Sequence, residues 1–201
     1  MNEEVDKTAC GTPPPSLQTE GRPPNRIRPS NTYYHANGKG TGSAISFVLH
    51  PAHDNTPGSL FVELAPQKSI GSRNGTQVSF PTFDWEKRIV FKLDKTDLSQ
   101  FLQVFRGIQE DISDGKGLFH RSRNANTIIR FGHQIEPRPG YMLNVSRRSS
   151  DGTDQQGYFF FTPSEAFELS VAIESAMLFI VFGVPAVIPR TVGASAVSRS
   201  A

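Results

Sequence analysis

Two short runs hold the residue types that metal or phosphate chemistry uses. His50 and His53 stand three positions apart beside Asp54, but no third ligand lies nearby in the sequence, so exposed turn residues are the simpler interpretation. Residues 38–43, Gly-Lys-Gly-Thr-Gly-Ser, superficially resemble a phosphate loop, but the glycine spacing is wrong and no helix pattern follows. Neither run predicts a metal or nucleotide site.

Catalytic motifs are missing from the rest of the chain. There is no nucleophile elbow, zinc-protease helix, Walker sequence or dinucleotide fingerprint. Glu63, Asp84 and Glu86 are scattered over different elements, without the spacing of a paired acid and base. We therefore predict a protein that is not an enzyme and that uses no cofactor, metal or small-molecule substrate.

Aromatic and basic residues alternate closely in the middle of the chain, as in Phe91 beside Lys92 and Phe119 near Arg121. Bases of a single strand can stack on such rings while arginines follow the phosphates. The alternative is that most of these rings are core, because a strand with one buried face hides every second side chain. The pattern favours single-stranded nucleic acid without identifying which rings stack.

A local positive charge supports the same partner. The formal net charge of the chain is only +2, but residues 116–148 hold seven basic residues against the single acid Glu136, a net charge of +6. Residues 121–130 fit either a polar loop leading into a backbone-binding strand or a solvated hairpin.

Length and composition predict one folded domain with two tails. Of the 201 residues, 36% are hydrophobic, but residues 1–32 are rich in proline and poor in bulky apolar side chains. We predict disordered tails over residues 1–32 and 186–201, and a domain over residues 33–185. Cys10 is the only cysteine, the start of the chain is acidic, and the apolar stretch 176–188 is too short to span a membrane. These features predict a cytoplasmic protein, associated with the nucleoid if bacterial.

Period-2 alternation and turn residues predict eight strands. An apolar helical stripe follows the first four strands, and a second apolar helix follows the last four. One helix should be capped by Asp94 or Thr96 and end at Gly107, and the other should begin with Thr162 as N-cap and Glu165 completing a capping box. The second helix is apolar on most faces, which predicts that it lies in the core and also meets another subunit. The strands are predicted at residues 43–50, 60–65, 78–80, 87–93, 117–120, 126–131, 141–147 and 157–162.

A series of motifs then resembles the Whirly family of single-stranded DNA-binding proteins. The run Phe83-Asp84-Trp85 leads into a basic strand, and Leu118-Phe119-His120 is similar to that family's Phe-Phe-His. Further matches are Glu136-Pro137, Gly140 to Ser146 and Thr162 to Phe167, so the resemblance covers about residues 33–183. Of the family's Lys-Gly-Lys-Ala-Ala-Leu motif only Gly38 and Lys39 match, which puts assemblies beyond a tetramer in doubt.

The resemblance implies an α+β fold of two four-stranded antiparallel sheets, each followed by a helix (ββββα-ββββα), in a homotetramer with helices packed centrally. It implies sequence-independent binding of single-stranded DNA in repair, recombination or transcription. RNA binding or annealing stays open, because related trypanosome guide-RNA-binding proteins share the fold, and so does an oligomeric protein-binding scaffold. The predicted nucleic-acid-binding residues are Lys39, Lys87, Arg88, Phe91, Lys92, Phe119, Arg121, Arg123, Arg130, Tyr141, Asn144 and Arg147.

Overall fold

The computed structural model describes residues 30–183 of the chain. The predicted tails therefore lie outside the described residues, except that residues 30–32 form the start of the first strand. The strands are β1 (Ser30–His35), β2 (Ser43–His50), β3 (Ser59–Ser69), β4 (Ser72–Asn74), β5 (Gln77–Ser79), β6 (Thr82–Phe83), β7 (Ile89–Leu93), β8 (Leu118–Arg121), β9 (Ala125–Gln134), β10 (Gly140–Ser149) and β11 (Asp154–Phe161). The helices are α1 (Lys95–Phe105) and α2 (Pro163–Phe182).

The first sheet is antiparallel, with the order β1-β2-β3, and both β6 and β7 pair with β3. Its inner face carries the alternating apolar residues of the sequence pattern. Ile45 of β2 lies beside Leu64 of β3, Phe47 lies beside Val62, and all four are buried. The predicted pair of strands is thus confirmed. The sheet also contains a strand that was not predicted, β1 (Ser30–His35), whose first three residues fall in the predicted tail, and β3 continues beyond its predicted end to Ser69.

The prediction of a four-stranded first sheet is wrong in detail. The run around Val78 forms no strand of that sheet but pairs with β4 in a separate two-stranded hairpin. Every residue from 71 to 80 is exposed. Because this segment is rich in Gly, Ser and Asn, it lacks the regular apolar face that would hold it against the core. The first sheet instead has five strands, counting the short β6.

The second sheet has the predicted four antiparallel strands, in the order β11-β10-β9-β8. Helix α1 covers its inner face, where the rings of Phe101 and Phe131 stack with centroids 4.4 Å apart. The predicted cap of α1 is confirmed, since the Asp94 side chain accepts hydrogen bonds from the backbone of Thr96 and Asp97. Gly107 follows the helix in the left-handed conformation, at φ 66°.

Helix α2 begins as the sequence predicts, with Thr162 as N-cap, Pro163 at the first position and a reciprocal capping box with Glu165. A second contact fixes this end of the helix, because Glu165 Oε1 lies 2.7 Å from His35 Nε2 on β1. One face of α2 is buried against both sheets, and its buried residues are Ala166, Leu169, Ile173, Ala176 and Ile180.

A single core joins the two sheets. Tyr33 of β1 contacts both Phe159 and Phe161 of β11, with ring centroids 6.5 and 5.8 Å apart, and burial raises the pKa of its phenol to about 12. Gly157 is required where β11 approaches β3, because a Cβ there would lie 2.7 Å from Leu64 Cδ2. This close approach sets the position of the second sheet relative to the first.

Candidate functional site

The outer face of the second sheet, opposite α1, brings polar, basic and aromatic side chains into rows across the strands. Register places Phe119 beside Ile128, and it places Arg130 beside Asn144, which in turn lies beside Tyr158. These five residues define what we call the open face. Since rows two residues apart along a strand are separated by about 7 Å, the rows form one continuous surface.

The rings of the open face are accessible. The side chain of Phe119 is 62% exposed and that of Tyr158 is 50% exposed. The Tyr158 hydroxyl donates to the carbonyl oxygen of Thr41, 3.2 Å away, which fixes the ring near the edge of the first sheet. Phe119 has no ring neighbour among the described residues. Its free faces are therefore available to a planar ligand.

Cations surround these rings. Arg121 ends β8, Arg123 lies in the turn between β8 and β9, and Arg130 lies on the open face; all three are exposed. Within residues 30–183 none of the three forms an ion pair. Arg148 differs, because its Nε lies 3.7 Å from Asp154 Oδ1. The unpaired arginines leave the positive charge of the region free for an anionic partner.

Beside the open face lies a cleft of about 630 Å³ between β7 of the first sheet and β8 of the second. The predicted residues at this cleft are Phe91, Lys92, Phe119, Arg121 and Arg147. The fold thus brings five residues from three distant segments of the chain to one site. Phe61, which the sequence did not single out, adds a further half-buried ring.

Arg147 occupies the inner end of the cleft. Its Nη1 donates to the carbonyl oxygen of Val90 over 2.7 Å, whereas its buried Nε has no hydrogen-bond partner among the described residues. The guanidinium of an arginine side chain is a permanent cation in proteins. The cleft therefore has a fixed cation at its base.

The acids of the cleft are already occupied. Asp94 accepts two backbone N–H groups of α1, and Asp97 Oδ2 accepts the backbone N–H of Asp94 and lies 3.2 Å from His120 Nε2. These contacts hold the start of α1 against β8. They direct both carboxylates into structural roles and away from acid or base chemistry.

Two of the predicted rings are not positioned to stack on a base. Phe91 is 4% exposed and belongs to the core, so its presence at the cleft is confined to the floor. Tyr141 faces α1, where its ring stacks on Phe131 with an interplanar angle of 12° and contacts Phe105. Both point inward because alternation sends their neighbours to the other face of the sheet.

Three predicted cations lie away from the cleft. Arg88 pairs with Glu63 over 3.1 Å, and Lys87 Nζ lies 3.5 Å from Asp84. Lys39 lies in the loop between β1 and β2, where Asn37 Oδ1 accepts the backbone N–H groups of Lys39 and Thr41. These two backbone N–H groups are therefore bound within the loop and are not available to hold a phosphate.

Tyr158 and Ile128 of the open face were missed. In the run of four aromatic residues at 158–161, alternation shows that neighbours face opposite ways but not which of them faces out. The open-face position of Tyr158 follows from its register with Asn144. Ile128 sits between Thr127 and Ile129, and only the fold shows that it is the outward member.

Metal-binding and membrane-spanning features are both absent from the described part of the chain. No group of three or more His, Cys, Asp or Glu side chains within residues 30–183 is arranged to hold a metal ion. In the same range, neither helix combines the length and hydropathy needed to cross a membrane.

Comparison with solved structures identifies the fold. WHY1 from Arabidopsis thaliana matches with a TM-score of 0.62 and 16% sequence identity, over 79% of this chain and 88% of that chain. WHY3 from the same organism matches with a TM-score of 0.60 and 16% identity, over 79% of this chain and 91% of that chain. No family model and no curated protein matches the sequence. The Whirly resemblance of the motifs is thus confirmed at the level of the fold.

Proposed function

We propose that this protein binds single-stranded nucleic acid, with little sequence preference, on the open face of its second sheet and in the adjoining cleft. The observation that carries the proposal is the combination of exposed rings and unpaired arginines on one surface. Bases stack on Phe119 and Tyr158, and the phosphates contact Arg121, Arg123 and Arg130. Stacking needs no base-specific hydrogen bonds, which is why sequence preference is weak.

The cleft extends this surface toward the first sheet. Lys92 and Arg147 supply two cations at its opening and its base, and Phe61 and Phe119 supply apolar walls. A base that leaves the open face at Phe119 can enter the cleft, where the two carboxylates of the lining, Asp94 and Asp97, are hydrogen-bonded to the start of α1 and to His120. We propose DNA as the partner, acting in repair, recombination or transcription.

We further propose that the protein is a homotetramer assembled through α2. The side of this helix that faces away from the core exposes large apolar side chains, with Phe167 73%, Leu178 60% and Phe182 81% exposed. A continuous apolar surface of this kind is typical of a subunit interface. A second copy of the chain is a fitting occupant, because the same stripe is available on it and symmetric interfaces pair identical surfaces.

A binding titration tests the proposed function. Fluorescence polarisation is measured with labelled single-stranded DNA, double-stranded DNA and single-stranded RNA of equal length, at low and moderate salt. We expect binding of single-stranded DNA that weakens as salt rises, and much weaker binding of the duplex. Equal or tighter binding of RNA would assign the site to RNA. No binding to any of the three at low salt would overturn the proposal and favour a protein-binding scaffold.

A paired variant locates the site. Phe119→Ala combined with Arg130→Gln removes one exposed ring and one cation from the open face. The matched control, Ile108→Ala with Lys95→Gln, removes an exposed apolar side chain that follows α1 and an exposed cation in the first turn of that helix, and Lys95 forms no ion pair within residues 30–183. We expect the first pair to weaken strand binding about tenfold or more and the control to leave it unchanged. Equal effects of the two pairs would contradict the site.

A further inference from the structure

The hairpin of β4 and β5 takes no part in the core. We define the hairpin arm as residues 70–80, that is, the two strands with Ile70 before them and Phe80 after them. All of these residues are exposed, and the arm is held by its own contacts, such as the 2.8 Å hydrogen bond between the hydroxyls of Ser72 and Ser79. An isolated two-stranded hairpin is at best marginally stable in water, so the arm adds little to the stability of the fold.

Large apolar side chains stand on this arm. Ile70 is 52%, Val78 is 54% and Phe80 is 79% exposed. Aromatic surface continues at the base of the arm, where the 59% exposed ring of Tyr34 lies 5.5 Å from the ring of Phe83. Exposed rings grouped at one end of a sheet are a candidate surface for a planar or apolar partner.

The charge of the segment is one-sided. Between Glu63 and Asp84 the chain holds two cations, Lys68 and Arg73, and no acid. Register places Arg73 directly opposite Val78, so a cation and an apolar side chain share one face of the arm. Neither cation forms an ion pair with any group in residues 30–183.

The loop that carries Lys39 lies against the arm. A Cβ placed on Gly40 would be 3.7 Å from Ile70 Cγ2, so the loop and the base of the arm are in near contact. Lys39, Lys68 and Arg73 thus surround one end of the first sheet, together with the exposed rings of Phe80 and Tyr34. The same combination of free cations and free rings defines the open face of the second sheet.

We infer that the hairpin arm is a second contact for single-stranded nucleic acid, in which Phe80 stacks on a base and Lys68 and Arg73 contact phosphates. The inference rests on the proposed function and extends its site. The partner is a polyanion with flat apolar faces, because only such a ligand matches both the cations and the rings. Lys39, which has no partner at the cleft, finds its role here.

The arm and the cleft lie at opposite ends of β3. Phe61 lines the cleft and Lys68 lies at the base of the arm, seven residues further along the strand, a separation of about 23 Å. A strand stacked as in B-form DNA rises about 3.4 Å per nucleotide, so about seven stacked nucleotides span that distance, and an extended single strand spans it with fewer. Long strands can therefore contact both regions of one protomer, and strands of about four nucleotides cannot.

The test uses the full-length chain with Phe80→Ala combined with Arg73→Gln, and strands of about 4 and about 30 nucleotides. We expect affinity for the long strand to fall about tenfold, with the salt dependence reduced by about one unit of slope, and affinity for the short strand to change less. Both side chains are exposed, so the melting temperature should be unchanged. The pair Ile108→Ala with Lys95→Gln is the matched control.

The outcomes separate the two proposals. If the wild-type chain binds neither strand, the proposed function fails and the arm inference fails with it. If the wild type binds and the arm variant binds each strand as tightly as the wild type does, only the arm inference is overturned. If the arm variant instead lowers the mass of the assembly in sedimentation, the arm contacts a second copy of the chain, and the inference is likewise overturned.

Discussion

Arg147 Nη1 donates a hydrogen bond to the backbone carbonyl oxygen of Val90, 2.7 Å away, and so links β10 of the second sheet to β7 of the first. The same side chain places its charge at the base of the cleft, where Nε is buried without a partner among the described residues. A single arginine therefore both links the two sheets at this edge and supplies a cation to the lining of the cleft.

Arg147→Gln removes the charge and shortens the side chain. We expect strand affinity to fall and the salt dependence of binding to lose about one unit of slope, because one phosphate contact is gone. We also expect a loss of stability of about 1 kcal/mol from the broken hydrogen bond to Val90. Polarisation titrations at several salt concentrations and urea unfolding measure the two effects. An unchanged salt slope would show that Arg147 contacts no phosphate.

Phe119 provides a direct test of stacking. Replacing it by Ala should cost about 1 to 3 kcal/mol of binding free energy, and replacing it by Tyr should restore most of the affinity because the ring is kept. Since 62% of the side chain is exposed, neither change should alter the melting temperature by more than a few degrees. Ile108→Ala, at another exposed apolar side chain, serves as control. Equal binding by the Ala and Tyr variants would exclude stacking at this position.

Several elements of the fold could be predicted from residues close together in the sequence. The capping box of Thr162 and Glu165 depends on side chains three positions apart, and the alternation of β2 and β3 depends on neighbours along one strand. Phe119 and Arg121 stand two residues apart on β8, so alternation places them on the same face, and their contact with nucleic acid stays a prediction. Local patterns of this kind determine elements and shared faces.

The errors come from what only packing decides. Phe91 and Lys92 are neighbours on one strand and must face opposite ways, but the sequence does not show which of them faces outward. In the structure Phe91 is buried in the core. For the same reason, Tyr141 was predicted to bind nucleic acid although its ring packs against Phe105 and Phe131, and Tyr158 was not predicted as a site residue. Val78 was assigned to the first sheet because a short apolar run looks alike in a core strand and in an exposed hairpin.

Glu165 makes the stability of the chain depend on pH. Burial alone would raise the pKa of this carboxyl, but hydrogen bonds from the backbone of Thr162 and from the side chains of His35 and Thr162 outweigh it, so the pKa lies below the ordinary value of a glutamate side chain. A carboxyl with a depressed folded-state pKa contributes stability above its unfolded pKa, and this contribution is lost as pH falls through the folded value.

Glu165→Gln isolates that contribution, because the amide can still complete the capping box but carries no charge. We expect the variant to be less stable than the wild type at about pH 7, by roughly 1 kcal/mol, and the difference to shrink as the pH falls through the folded-state pKa of Glu165. Urea unfolding at about pH 7 and at a series of lower pH values measures the difference. A gap that stays constant with pH would show that the charge of Glu165 does not stabilise the fold.

The exposed side of α2 carries the last prediction. Phe167→Glu combined with Leu178→Glu places two charges on the apolar stripe, where they would be buried and unpaired in a subunit interface at a cost of several kcal/mol. Both side chains are exposed in the protomer, so the fold should survive, as circular dichroism can verify. We expect sedimentation to show a tetramer for the wild type and a monomer for the variant. The open face is the outer surface of the second sheet, which α2 does not cover. A monomer should therefore still bind a short strand, with weaker binding only for strands long enough to reach two protomers. An unchanged mass would place the subunit interface elsewhere on the protein.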